Sequence, residues 1–151
     1  MSRFIFAALM TLAAAPALAD GKVYVTLPDM TPYEIDHEAA DRFLGDAYRG
    51  LVLSSNCQNS WLTAEEHSLL TDGFDLLAYG VLKLSVDEVV SRYEKPAFAA
   101  LDTPGACDEA PELKAALLEH LQDMGGSLEP LPDQEAAYHE WRALMDSIQP
   151  Q

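Results

Sequence analysis

The sequence predicts an all-α fold: an irregular bundle of about five short helices with an N-terminal extended arm, stapled by one disulfide. Three observations predict it. Apolar residues recur at three- and four-residue spacing, most continuously from Leu62 to Leu101. Capping boxes at Thr31–Glu34, Thr63–Glu66 and Ser85–Glu88 mark helix starts. The only two cysteines, Cys57 and Cys107, bracket the longest periodic stretch.

Residues 1–19 read as a cleaved export signal. Arg3 supplies the positive start, Phe4 to Ala15 is an uncharged run too short to span a bilayer, and Ala17-Leu18-Ala19 is a small-x-small cleavage site. The apolar run stops at Asp20, which argues against a transmembrane anchor, and no cysteine follows that would take a lipid. Residues 20–151 then have the length of a single helical domain. The expected location is the periplasm, with secretion as second choice. In either place Cys57 and Cys107 are expected to pair. Such a bridge stabilises the fold by roughly 4 kcal/mol on the chain-entropy model. The sequence contains neither C-x-x-C nor C-x-x-C-H, so a thioredoxin-like centre and covalent haem are not supported.

The arm is Lys22 to Leu27, which alternates and is β-branched but has no second strand to pair with. It is expected to lie extended on the helical body. The first helix is expected from Thr31, with Asp36 as an alternative cap, to about Ser55. Ala40, Phe43, Ala47, Leu51 and Ser54 form its inner face. The second follows the Thr63 box; its apolar period runs through Thr71-Asp72-Gly73, predicting continuity across a turn signal. The third follows Ser85, with Val86, Val89, Val90 and Tyr93 inward, and Pro96 is expected to kink or end it. A loop, Asp102-Thr103-Pro104-Gly105, then delivers Cys107. The fourth helix is led by Asp108 or Ala110, with Pro111 near its first position and Leu113, Ala116, Leu117 and Leu121 inward. Gly125-Gly126 ends it. Asp133 caps the last, whose inner residues are Ala137, Trp141, Leu144, Met145 and Ile148.

A formal charge of −16, one unit more negative without Arg3, argues against nucleic acid and anionic membrane surfaces as partners, since both need basic patches. It suits a basic envelope protein. Beyond the signal, no segment is apolar enough for membrane insertion. Three His–carboxylate pairs at helical spacing, His37/Asp41, His120/Asp123 and Glu135/His139, are what a metal site needs and also what any acidic helix produces. No His-Glu-x-x-His, EF-hand, nucleophile elbow or phosphate loop occurs. No metal, cofactor or catalytic residue is therefore assigned. The polar run around Cys57 (Ser54, Ser55, Asn56, Gln58, Asn59, Ser60) reads first as a helix-ending loop. Trp61 beside it either covers the disulfide or stands out as an anchor for a partner.

An aromatic-acidic first helix, the run Leu53-Ser54-Ser55-Asn56-Cys57, a capped helix after it and a second cysteine in a late loop resemble the periplasmic immunity proteins that block peptidoglycan amidases delivered by type VI secretion. The resemblance implies a helical inhibitor and carries over no residue role. The expectation is a non-catalytic exported protein-binding module that occludes a basic partner through Trp61, Glu65 and Glu66. The alternative is a periplasmic small-molecule or metal-binding protein, in which the histidine pairs matter.

Overall fold

A computed structural model describes residues 21–149. The expected signal segment lies outside the described residues. Among these, five helical rods form an irregular all-α bundle closed by the Cys57–Cys107 disulfide.

The arm is extended but builds no sheet. Val25 makes a single antiparallel bridge to Pro130. The Leu131 N–H donates to the Tyr24 carbonyl at 2.9 Å and the Ser127 N–H to the Thr26 carbonyl at 3.0 Å. The Gln134 amide clamps Tyr24, accepting from its N–H at 2.8 Å and donating to its carbonyl at 2.9 Å. These bonds satisfy backbone groups that would otherwise be buried unpaired beside Tyr24 and Val25, both in the core.

Helix α1 is His37–Asn56, so the expected start at Thr31 is corrected. The Asp29 carboxylate takes the Thr31 N–H at 3.0 Å, and Thr31–Glu34 forms only a 3-10 turn with no side-chain cap. Asp36 caps α1 through the Ala39 N–H at 2.9 Å. The inner face of α1 centres on Ala40, Leu44, Ala47 and Leu53, with Phe43 and Leu51 half-buried. At Gly50 a Cβ would stand 2.2 Å from Leu117 Cδ1. A side chain there would push the Leu117 side chain out of its place against this helix.

Helix α2, Ala64–Asp75, continues without a break into a π turn, Leu76–Val81. Thr71-Asp72-Gly73 is helical, as the apolar period implied. The Thr63/Glu66 and Ser85/Glu88 capping boxes both form. The third rod is α3, Val86–Val89, a π turn at Val90–Glu94, and α4, Lys95–Ala100. Pro96 does not end it. The π turn closes with the Lys95 N–H on the Val90 carbonyl, five residues back, and Pro96 falls in the first turn of α4, where no N–H is required. Val86, expected inward, is 55% exposed.

Helix α5 is Ala106–Asp123, starting earlier than expected, after Gly105 at φ 80°. Cys107 thus lies in its first turn rather than in a loop, and Pro111 lies inside it. Cys57 is the residue that closes α1. On α5, Leu118 is buried where Ala116 was expected, and Ala116 faces outward. Helix α6 is Gln134–Ile148, capped by Asp133. Only Ala137 and Met145 of it are buried.

The main core gathers Leu44, Leu69, Phe74, Leu77, Tyr93 and Leu121. A smaller one wraps the disulfide with Leu53, Ala106 and Ala110. Apolar burial of this kind is the main stabilising term.

Candidate functional site

The strongest candidate is the turn that carries Trp61, between the end of α1 and the start of α2. Its foundations are fixed from below. Cys57 is 1% exposed and bonded to Cys107. The Ser54 and Ser60 hydroxyls, both buried, bond each other at 3.1 Å. Neither is therefore a nucleophile open to solvent. Asn56 donates to the Val52 carbonyl at 2.7 Å, and Asn59 donates to the Cys107 carbonyl at 2.8 Å. Lys114 of α5 donates to the Trp61 carbonyl at 3.2 Å. The amides and hydroxyls of the polar run are thus largely turned onto the protein itself, which makes the turn rigid.

Trp61 is 66% exposed. Of its two expected placements the structure has the outward one; most of the indole is not laid over the disulfide. The other two expected site residues differ from each other. Glu66 is committed to the fold: its carboxylate accepts the Thr63 N–H at 2.9 Å and pairs with Lys114 at 3.3 Å. Glu65, half-buried in the same helical turn, carries no such bond.

The chain as a whole is strongly acidic, with a formal charge of −16. Asp108, Glu112, Glu119 and Asp123 are exposed at spacings that place them on one outer face of α5. Among the described residues, Lys22, Arg42, Arg49, Arg92, Lys114 and Arg142 are held in ion pairs with the protein's own carboxylates, while Lys83 and Lys95 are in none of these pairs. Asn59 reads from the sequence only as part of the polar run, and Lys114 is not expected here. Pro111, four residues after Cys107, was the available signal, because a proline inside a helix leaves a carbonyl in want of a donor.

A second cluster ties the arm to α2 and α6. The Lys22 ammonium sits 2.6 Å from Asp72 Oδ1 and 3.8 Å from the centre of the Trp141 ring. Asp72 is 3% exposed. Burial raises its pKa, and Lys22 works against that rise. The buried Trp141 N–H also favours ionised Asp72, although it meets hydrogen-bond geometry with no group. One turn on, Asp75 is pushed up to about 6, chiefly by burial and then by repulsion from Asp72.

The histidine pairs resolve differently. His120 Nε2 lies 2.8 Å from the Tyr33 hydroxyl, next to Phe43. Asp41, the would-be partner of His37, is held by Arg92 and by the Tyr93 hydroxyl. Among the described residues, no group of three or more His, Cys, Asp or Glu side chains is placed to hold a metal ion. Among them, too, no helix is long and apolar enough to cross a membrane. No protein-family model, curated protein or solved structure matches the chain.

Proposed function

We propose that the protein is a non-catalytic, exported binding module that occludes a basic protein of the cell envelope, as an inhibitor or immunity-type protein does. One observation carries this reading: a tryptophan 66% exposed on a turn that a disulfide, a buried Ser–Ser bond and Lys114 hold in place. An exposed indole carried on a fixed backbone turn is a typical anchor of a protein interface, because little backbone freedom is lost on binding. The unneutralised carboxylates on the outer face of α5 supply the steering toward a basic surface. The disulfide is consistent with an oxidising compartment, and the periplasm is our choice.

The test is capture from an envelope extract with the wild type, Trp61→Ala and Glu65→Lys. The expected result is one basic protein bound at near one-to-one ratio, eluted by raised salt and weakened at least tenfold by either substitution. An identical captured set for all three proteins would overturn the reading. Glu66→Lys is unsuitable, since it removes a helix cap as well as a charge.

A further inference from the structure

The geometry points to a second docking site, a trough between the arm, the π turn Leu76–Val81 and α6, that takes a bulky apolar side chain from a partner segment flanked by lysine or arginine. It lies at the opposite end of the α2 rod from Trp61, roughly 25 Å away at the usual helical rise. It is independent of the reading above.

Two clefts adjoin here and share Leu27 and Leu144. The larger holds about 330 Å³. Its apolar wall includes Leu27, Met30, Leu76 and Val81, and Asp29 and Glu34 stand at its edge. The smaller, about 150 Å³, continues past Leu144 along Trp141 and carries Glu140. At about 330 and 150 Å³ the two clefts stand at and below the low end of the roughly 300–1,000 Å³ of drug-sized ligand sites, which is room for one or two side chains.

Among the described residues, the apolar side chains at this trough stay partly open. Leu144 is 37% exposed, and Ile35, next to Glu34, is 93% exposed. The amphipathic helix α6 buries only Ala137 and Met145. Apolar surface left open in this way and rimmed by polar groups marks an interaction site more often than chance exposure does. The backbone beside it is also unusual. The π turn forms part of the wall through Leu76, Gly80 and Val81, and two residues after it Lys83 adopts φ 53°, a left-handed conformation that disfavours side chains. Such departures cluster at functional sites.

Charge selects the occupant. The carboxylates at the trough are Asp29, Glu34 and Glu140, all exposed, together with buried Asp72, which Lys22 already neutralises. Among the described residues, no lysine or arginine lines either cleft. The Thr31 N–H holds Asp29 below the usual carboxylate range, so it is ionised at neutral pH. An apolar side chain with basic neighbours therefore gains burial and charge pairing together.

Gly80 gives a clean plug. A Cβ there meets only Ile148 Cγ2, at 3.8 Å, an ordinary contact, and Gly80 itself lines the larger cleft. The experiment is a titration of ¹⁵N-labelled protein with the peptide acetyl-KKLFKK-amide, and with acetyl-EELFEE-amide as control. Saturable shifts confined to 27–34, 76–81 and 140–148, for the basic peptide alone, are expected. Gly80→Leu should weaken binding at least tenfold with an unchanged circular dichroism spectrum. Asp29→Asn with Glu34→Gln keeps the turn cap and should weaken it about fivefold at low salt. Trp61→Ala should leave it unchanged, and loss of trough binding leaves the Trp61 reading untouched. The proposal is overturned by equal binding of both peptides, by shifts centred on 59–65, by undiminished binding to Gly80→Leu, or by no saturable shift.

Discussion

Asn59 Nδ2 donates to the carbonyl of Cys107 at 2.8 Å, and that carbonyl is the one that Pro111 leaves without its helical donor. A residue four places after Cys107 would normally supply an N–H; proline has none. The side chain that fills the gap comes from the far side of the disulfide. The bridge and the hydrogen bond therefore fasten the same two segments, the end of α1 and the first turn of α5.

Asn59→Ala should lower stability by about 1 kcal/mol, the usual net worth of such a bond near the surface. Pro111→Ala in that background should recover much of the loss, because an alanine in place of the proline would restore the missing N–H. Urea unfolding of the two single variants and the double variant measures the coupling. Strict additivity would show that Asn59 does not serve this carbonyl.

Removing the bridge with Cys57→Ala and Cys107→Ala should cost roughly 4 kcal/mol for a sequence separation of 50. Because Asn59 still donates to the backbone carbonyl of residue 107 across the same junction, the loss should appear as a lower unfolding midpoint with native helix content retained. Circular dichroism and thermal melts of the double variant check both points.

The arm depends on Lys22. Lys22→Met strands the carboxylate of Asp72, which is 3% exposed, and should destabilise the protein by about 2–3 kcal/mol. Lys22→Met with Asp72→Leu should be markedly less damaging, since neither charge is then left buried. Denaturant midpoints of the three variants test this, and protease cleavage near the arm should rise in the single variant first.

What the sequence revealed was what local chemistry decides. The Thr63 and Ser85 caps formed because each has its glutamate three residues on and no rival nearby. Thr31 has the same pattern, but Asp29 takes its N–H and Asp36 caps the helix five residues later. Pro96 reads as a kink or end and Pro111 as near a helix start, yet a π turn just before Pro96 and the distant Asn59 side chain relieve their conflicts. The outward placement of Trp61 depends on Lys114 and on the bridge. The trough needs the arm, the π turn and α6 together, segments far apart in the chain.

Asp75 should make stability fall as pH rises. Its folded pKa, about 6, lies above the ordinary value of 3.8, so the folded state binds its proton more tightly than the unfolded state does. Below pH 3.8 both states are protonated and Asp75 contributes no difference. Between 3.8 and 6 only the folded state holds the proton, and stability drops with rising pH. Above that range the full penalty is present, up to about 2 kcal/mol at a partly buried site. Asp75→Asn should therefore be nearly neutral at about pH 4 and stabilising at about pH 7.5. Comparing variant and wild type at each pH cancels other groups such as Glu88, whose depressed pKa acts in the opposite direction. Equal effects of the substitution at both pH values would mean that Asp75 titrates as it does in the unfolded chain.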